Sequence, residues 1–157
     1  MNSIITDYYP VLEMYQAPRA QLMELLNDAD LAFRPSDQNE TLGELCLDIG
    51  QTQHAYIESF RTFKLDFEAK GATPELTVVS LRSWYNELDS ELRQVVTSLS
   101  EADIRERKIY RGENFELPPN IQLDVYKEAL LIFYGKVSVY LKGMGLPLPK
   151  QWQEWIG

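Results

Sequence analysis

IQLDVYKEALLIFYGKVSVYLKGMGLPLP, residues 121–149, is the most apolar long segment of the chain, and the other helices have to be arranged to cover it. At about 100° per residue, Tyr126, Ala129, Leu130, Phe133, Val137, Tyr140 and Met144 fall on one broad face, while Val125, Ile132 and Val139 line up on nearly the opposite one. A helix apolar on two sides is expected to be buried on two sides. The expected span is 120–144, with Gly145 and two prolines beyond it.

Working outward, the stretch just before it, KIYRGENFELPP (108–119), sets Gly112 and Asn114 between short apolar runs and ends in two prolines, which predicts an irregular or hairpin-like crossover. Ahead of that, Ser100-Glu101-Ala102-Asp103 has capping-box spacing and opens a short turn. Leu81, Trp84 or Tyr85, Leu88, Leu92, Val95 and Leu99 form the stripe of a helix over 75–98, with Thr73-Pro74-Glu75 as its start. Thr41 and Glu44 form another capping box. The helix that it opens is expected over 41–68, since Leu42, Leu45, Ile49, Tyr56, Phe60, Phe63 and Phe67 share one face before Gly71 ends it. The first long helix is expected over 11–28. Pro18 is either the first residue of a new helix or the cause of a kink, because it removes a donor and crowds the preceding turn. After the last helix, KQWQEWIG is expected to tuck Trp152 and Trp155 onto the end of the bundle.

Composition narrows the function classes. The chain has 157 residues, 45% of them apolar, and a formal charge of −9. This fits one domain, residues 1–157, large enough to bury a sizeable core. The charge argues against nucleic acid, whose phosphates call for a Lys/Arg-rich face. No run approaches the ~18 apolar residues that would cross a bilayer, and the first residues have neither the basic nor the apolar part of an export signal. The expectation is a cytoplasmic protein that binds neither membrane nor nucleic acid. Cys46 is the single cysteine and sits among Leu45, Leu47 and Ile49, which suggests a small buried hydrophobe. His54, the only histidine, has a helical phase opposite Ile49, Tyr56 and Phe60. That places it on the solvent face next to Glu58, where a general base has no pocket to serve.

Phe33-Arg34-Pro35 in the first loop, Thr41-Leu42-Gly43-Glu44-Leu45 at the head of the second long helix, and Tyr140-Leu141-Lys142 with Gly145 and prolines at the end of the last occur in a telling order and spacing. Together they resemble the DinB-like (also called YfiT-like) superfamily of four-helix proteins. The resemblance covers most of the chain. It implies an all-α, antiparallel four-helix bundle of DinB/YfiT-like type with an irregular crossover before the last helix.

Members that bind a divalent metal use one His in the second helix and two His four apart in the last, where residues at that spacing share a face and can converge on one ion. Carried over, these positions fall on Asp48, Ala129 and Phe133, and Phe133-Tyr134-Gly135-Lys136 stands where the family has His-x-Gly-Gln. None of the three is histidine. The expectation is therefore no metal, no cofactor and no catalytic residue. Asp48 should sit on the flank of its helix, paired with a basic or hydroxyl group, and the Phe133 ring should lie between the second and last helices.

Two functional readings follow. One is a non-catalytic binding or interaction module. The other is an enzyme related to metal-dependent hydrolases or thiol S-transferases that uses a repurposed pocket between those two helices. A small-molecule ligand would meet the aromatic set Tyr126, Phe133, Tyr134 and Tyr140. The second apolar face of Val125, Ile132 and Val139 predicts a homodimer.

Overall fold

The computed structural model describes residues 1–157. In chain order the elements are α1 (Ser3–Asp7), α2 (Tyr9–Leu25), a 3-10 turn (Asp28–Ala32), α3 (Leu42–Thr62), α4 (Val78–Ser98), α5 (Glu101–Glu106), β1 (Ile109–Gly112), β2 (Phe115–Leu117), α6 (Pro119–Gly143) and α7 (Lys150–Trp155). Four long helices close a ring in which α3 packs against α4 and α6, and α2 packs against the same two from the opposite corner. The inward stripes read from the sequence merge into one core. Tyr126, Leu130, Val137 and Leu141 of α6 and Leu42, Ile57 and Phe60 of α3 are essentially excluded from solvent. Of the two aromatic candidates on α4, Tyr85 is the core residue and Trp84 lies half-buried at the edge.

Local signals explain the ends of several elements. The Thr41 hydroxyl accepts from Glu44 N at 3.1 Å while the Glu44 carboxylate accepts from Thr41 N at 2.7 Å, and Ser100 and Asp103 do the same for α5. The crossover is a two-stranded antiparallel hairpin, β1–β2, turned at Asn114 with φ +58°. At the other end of the chain, Asn2 donates to the Val96 and Leu99 carbonyls at 2.7 and 2.9 Å. It thereby adds a second donor to Val96 O, which also accepts from Leu99 N at 3.3 Å, and supplies one to Leu99 O just past the end of α4.

Two expected boundaries are wrong, for tertiary reasons. The second long helix ends at Thr62, not near residue 68: Phe63 turns left-handed (φ +57°, ψ +30°), and the chain then pairs with the hairpin. Leu65 N donates to Tyr110 O at 2.8 Å and Tyr110 N to Phe63 O at 3.0 Å. The Arg107 guanidinium covers the Phe63 ring at 3.3 Å, and Phe67, the last residue of the expected stripe, lies beyond the helix against Tyr56.

The third long helix starts at Val78, not at Pro74. Thr77 caps it by accepting from Ser80 N at 3.2 Å, and the Asp28 carboxylate, from the 3-10 turn, takes Val78 N at 2.8 Å. Thr73-Pro74-Glu75 remains loop, and Leu76 packs so closely on Gly43 that a Cβ there would lie 2.8 Å from its Cδ2.

Pro18 stands inside a continuous α2 and does not begin a new helix. Lacking an N–H, it leaves the Met14 carbonyl without its helical donor. Gln151 Nε2 of α7 donates to that carbonyl at 3.1 Å, Tyr134 OH of α6 donates to Tyr15 O at 2.5 Å, and Trp152 Nε1 donates to Pro18 O at 3.1 Å. The tail thus docks on the defect in α2. Trp152 is fully buried there, while Trp155 stays partly exposed with its ring edge-on to Tyr15.

Candidate functional site

α3 and α6 run side by side and leave a shallow cleft of about 170 Å³, lined by Leu45, Asp48, Ile49 and Thr52 from one helix and Ala129, Ile132, Phe133 and Lys136 from the other. The three positions taken from the family pattern, Asp48, Ala129 and Phe133, meet in this one place. Asp48 and Ala129 lie at the edges of their helices' buried stripes, and Phe133 belongs to the core stripe of α6 itself. A wider hollow of about 560 Å³ adjoins the cleft. It shares Leu45 and Lys136, and is completed by Pro35, Gln38, Asn39 and Glu40 from the first loop and Val139 and Tyr140 from α6. Tyr140 OH donates to Glu40 O at 2.7 Å and so ties that loop to α6.

The chemistry available in the cleft is limited. Phe133 is buried, with its ring 5.6 Å from that of Tyr134. Ala129 carries no donor atom. Asp48 is exposed and makes no ion pair or side-chain hydrogen bond, in contrast to the pairing expected of it. Lys136, on the opposite wall of the cleft, is exposed as well and forms no ion pair with it. Glu44, one turn before Asp48, is committed to the helix cap, and the Thr41 hydrogen bonds hold its carboxyl below the usual carboxylate range. One free carboxylate with a neighbouring threonine hydroxyl does not make the three-ligand donor set of a transition-metal site or the several oxygens of a Mg²⁺ or Ca²⁺ site. No three His, Cys, Asp or Glu side chains converge anywhere in the chain. The residues in the cleft do not fit a metal.

His54 is outside the cleft but is not on an open solvent face. The loop after α3 folds back over it, so that a Cβ on Gly71 would come within 2.9 Å of the imidazole. Gln51 holds that loop in place by pairing both its amide groups with the Gly71 backbone at 2.9 Å. Cys46 is fully buried, as its neighbours suggest, and burial pushes its thiol up to about 12.

A polar cluster at the bundle centre escaped the sequence reading. Arg19 of α2 is 1% exposed; its Nη2 meets Asp89 Oδ1 of α4 at 2.6 Å and its Nη1 meets Gln53 Oε1 of α3 at 2.6 Å. Gln53 Nε2 and Gln16 Nε2 donate to the same Asp89 oxygen at 2.8 and 2.7 Å. The Tyr85 ring lies 4.1 Å beneath the guanidinium, and the buried Tyr126 hydroxyl has no partner. Burial is the largest single influence on Arg19 and opposes its charge, but the Asp89 carboxylate together with Tyr126, Tyr134 and Tyr85 holds the guanidinium above its ordinary range. The signal was there to be read: Leu12, Gln16, Arg19, Met23 and Leu26 recur at alternating spacings of four and three, so helical phase alone puts both polar residues inside.

No protein-family profile matches the chain, and no curated protein matches its sequence. Solved structures do. A DinB-like protein, YjoA, from Bacillus subtilis superposes with a TM-score of 0.69 at 17% identity, over 89% of this chain and 96% of the other. A DinB-like protein from Bacillus cereus gives a TM-score of 0.71 at 12% identity, over 90% and 93%. The fold is an all-α four-helix bundle. More particularly, it is the fold of the DinB-like proteins.

Proposed function

We propose that this chain is a DinB-like bundle that binds without catalysing, with the α3–α6 cleft as what remains of the superfamily's metal site. The supporting observation is that Asp48, Ala129 and Phe133 line one cleft and contribute a single carboxylate between them. A buried aromatic ring stands where a ligating imidazole would have to reach. The remaining volume is below the ~300 Å³ at which pockets begin to enclose a drug-sized molecule. The cleft therefore suits a small group, or one end of a larger ligand that continues into the adjoining hollow beside Val139 and Tyr140.

The protein works in the cytoplasm, away from membranes and nucleic acid: no helix is long and apolar enough to cross a membrane, and the net charge of −9 repels phosphate backbones. It acts as a homodimer through the outer face of α6, where Ile132 and Val139 are 62% and 59% exposed.

The deciding experiment is elemental analysis after dialysis, combined with a thermal-shift screen against Zn²⁺, Ni²⁺, Fe²⁺ and low-molecular-weight thiols. A ligand that binds only the native state raises its melting temperature. Metal content far below one equivalent and no shift with the ions are the expected outcome. Phe133→His should not restore metal affinity, because Asp48 and one imidazole still fall short of three protein ligands. Stoichiometric metal that survives dialysis would instead establish the enzyme reading, with a metal-dependent hydrolase or thiol transferase built on donors other than these.

A further inference from the structure

Arg19, Arg34, Arg61, Arg93, Arg105 and Arg107 each touch a carboxylate, and Arg82 donates to the Met23 carbonyl at the end of α2. Arg111 is the one arginine left without an acidic or main-chain acceptor. It is half-buried, beneath the hairpin, in a protein with carboxylates to spare. Its position in the hairpin is also irregular. Tyr110 pairs with Glu116 and Gly112 with Phe115, so Arg111 is the extra residue of a β-bulge, a device that re-aims a side chain out of strand register.

The bulge turns the guanidinium toward α3 and α6. Nη1 donates to Gln122 Oε1 at 2.6 Å and, at a longer 3.4 Å, to the Tyr56 hydroxyl. Gln122 cannot turn away, because its Nε2 donates to Ser59 Oγ at 2.9 Å and that hydroxyl in turn donates to Tyr56 O at 2.7 Å. The rings of Tyr56 and Phe115 lie 5.7 and 5.4 Å from the guanidinium carbon. On the other side, Nε is buried with no partner and Nη2 makes no hydrogen bond.

Nη1 is the nitrogen on the Cδ side, so the unused pair, Nε and Nη2, is the side-on fork that accepts two coplanar oxygens at once. A guanidinium partly removed from water is unfavourable unless its charge is met. Here the neutral oxygens of Gln122 and Tyr56 hold one nitrogen and nothing meets the fork. We propose that Arg111 is the anchor of a binding site for a small oxyanion, a carboxylate or a phosphate group, met first at Nη2 and, once the groups covering Nε move aside, taken bidentately on the Nε–Nη2 edge. Gln122, Ser59 and Tyr56 act as positioning residues, and the half-exposed Phe115 ring flanks the body of the ligand. The site stands independently of the α3–α6 cleft: Gln122 is about two turns along α6 from Ala129.

The side-chain N–H resonances of arginine report the fork directly. In ¹⁵N-labelled protein at mildly acidic pH, the Arg111 Nε–H signal is identified by its loss in Arg111→Lys. Sodium acetate and inorganic phosphate are then titrated separately at constant ionic strength. A saturable shift of that signal with either anion, larger than at the other arginines, is the expected result. Acetate acting alone marks a carboxylate ligand and phosphate acting alone a phosphorylated one. The same anion should raise the melting temperature of the wild type, and Arg111→Lys, which keeps the charge but lacks the fork, should need at least about tenfold more anion for the same rise. An Arg111 signal that moves with neither anion, or only as much as those of the surface arginines, would overturn the proposal whether or not the variant folds normally.

Discussion

Asp89 Oδ1 accepts from Arg19, Gln53 and Gln16 together, and this one oxygen joins α2, α3 and α4 at the centre of the bundle. Removing the carboxylate leaves a guanidinium that is 1% exposed without its counter-charge. Breaking a buried pair from one side costs about 3 to 5 kcal/mol. Asp89 is itself 31% exposed, so water can partly replace it and the lower end applies. Asp89→Ala is expected to destabilise by about 3 kcal/mol, read as a fall in the urea midpoint with an unchanged slope, whereas Asp37→Ala, which removes an exposed pair, should leave the midpoint where it was.

Cys46 makes the second residue-scale prediction. Burial raises its thiol from 9.0 to about 12, against a lesser lowering by the Tyr85 hydrogen bond. Below pH 9 both states hold the proton and the group has no effect on stability. Between 9 and 12 the unfolded thiol has lost its proton and the folded one has kept it, so unfolding releases a proton and stability falls as pH rises. Tyr85, Tyr126 and Tyr134, raised by burial in the same core, steepen the fall once pH passes 10. Urea midpoints should be level from neutrality to about pH 9 and decline beyond it, and Cys46→Ala should delay the onset.

At the scale of the element, α7 is six residues long, yet it repairs a defect in α2 that the sequence makes unavoidable. Pro18 removes one helical donor, and α7 returns a hydrogen bond to Met14 through Gln151 while burying Trp152 completely. These two contributions are separable by substitution. Trp152→Ala deletes a large buried side chain and should cost about 3 to 5 kcal/mol. Gln151→Ala removes two hydrogen bonds, the one to Met14 O and one accepted from Gln21 Nε2, and should cost about 1 to 2 kcal/mol. Equilibrium unfolding followed by tryptophan-independent far-ultraviolet dichroism tests both. Equal effects from the two would mean that packing on α2 is not what holds the tail.

At the scale of the whole molecule, α6 leaves apolar side chains uncovered. Val125 is drawn against the core, but Ile132 and Val139, two turns apart on α6, face outward beside the cleft and its adjoining hollow. A strip of exposed apolar side chains on a long rigid helix, interrupted only by Lys136, suits a self-complementary two-fold contact. Light scattering should give twice the protomer mass, and Val139→Glu, which places a charge in the strip without touching the core, should return it to the protomer mass. A wild-type protomer mass at high concentration would remove the dimer.

The amino-acid pattern alone determined the bundle: three clear apolar stripes at helical spacing with a fourth helix ahead of them, the capping boxes at Thr41 and Ser100, the turn residues at 112–114, and the absence of histidine from the positions that meet at the cleft. These signals act within a turn or two of chain, so they survive in any context. Tertiary structure decided the rest. α3 stops at Thr62 because Phe63 and Leu65 find backbone partners in the hairpin, and α4 starts at Val78 because Asp28 arrives from another loop to accept its first N–H. Arg19 is put inside by its helical phase but keeps its charge there because Asp89 and Gln53 meet it, and the fork of Arg111 is free because a bulge turns it away from every carboxylate. Each of these outcomes depends on groups brought together from distant parts of the chain, and a charge or an N–H carries no local mark of the partner that folding will give it.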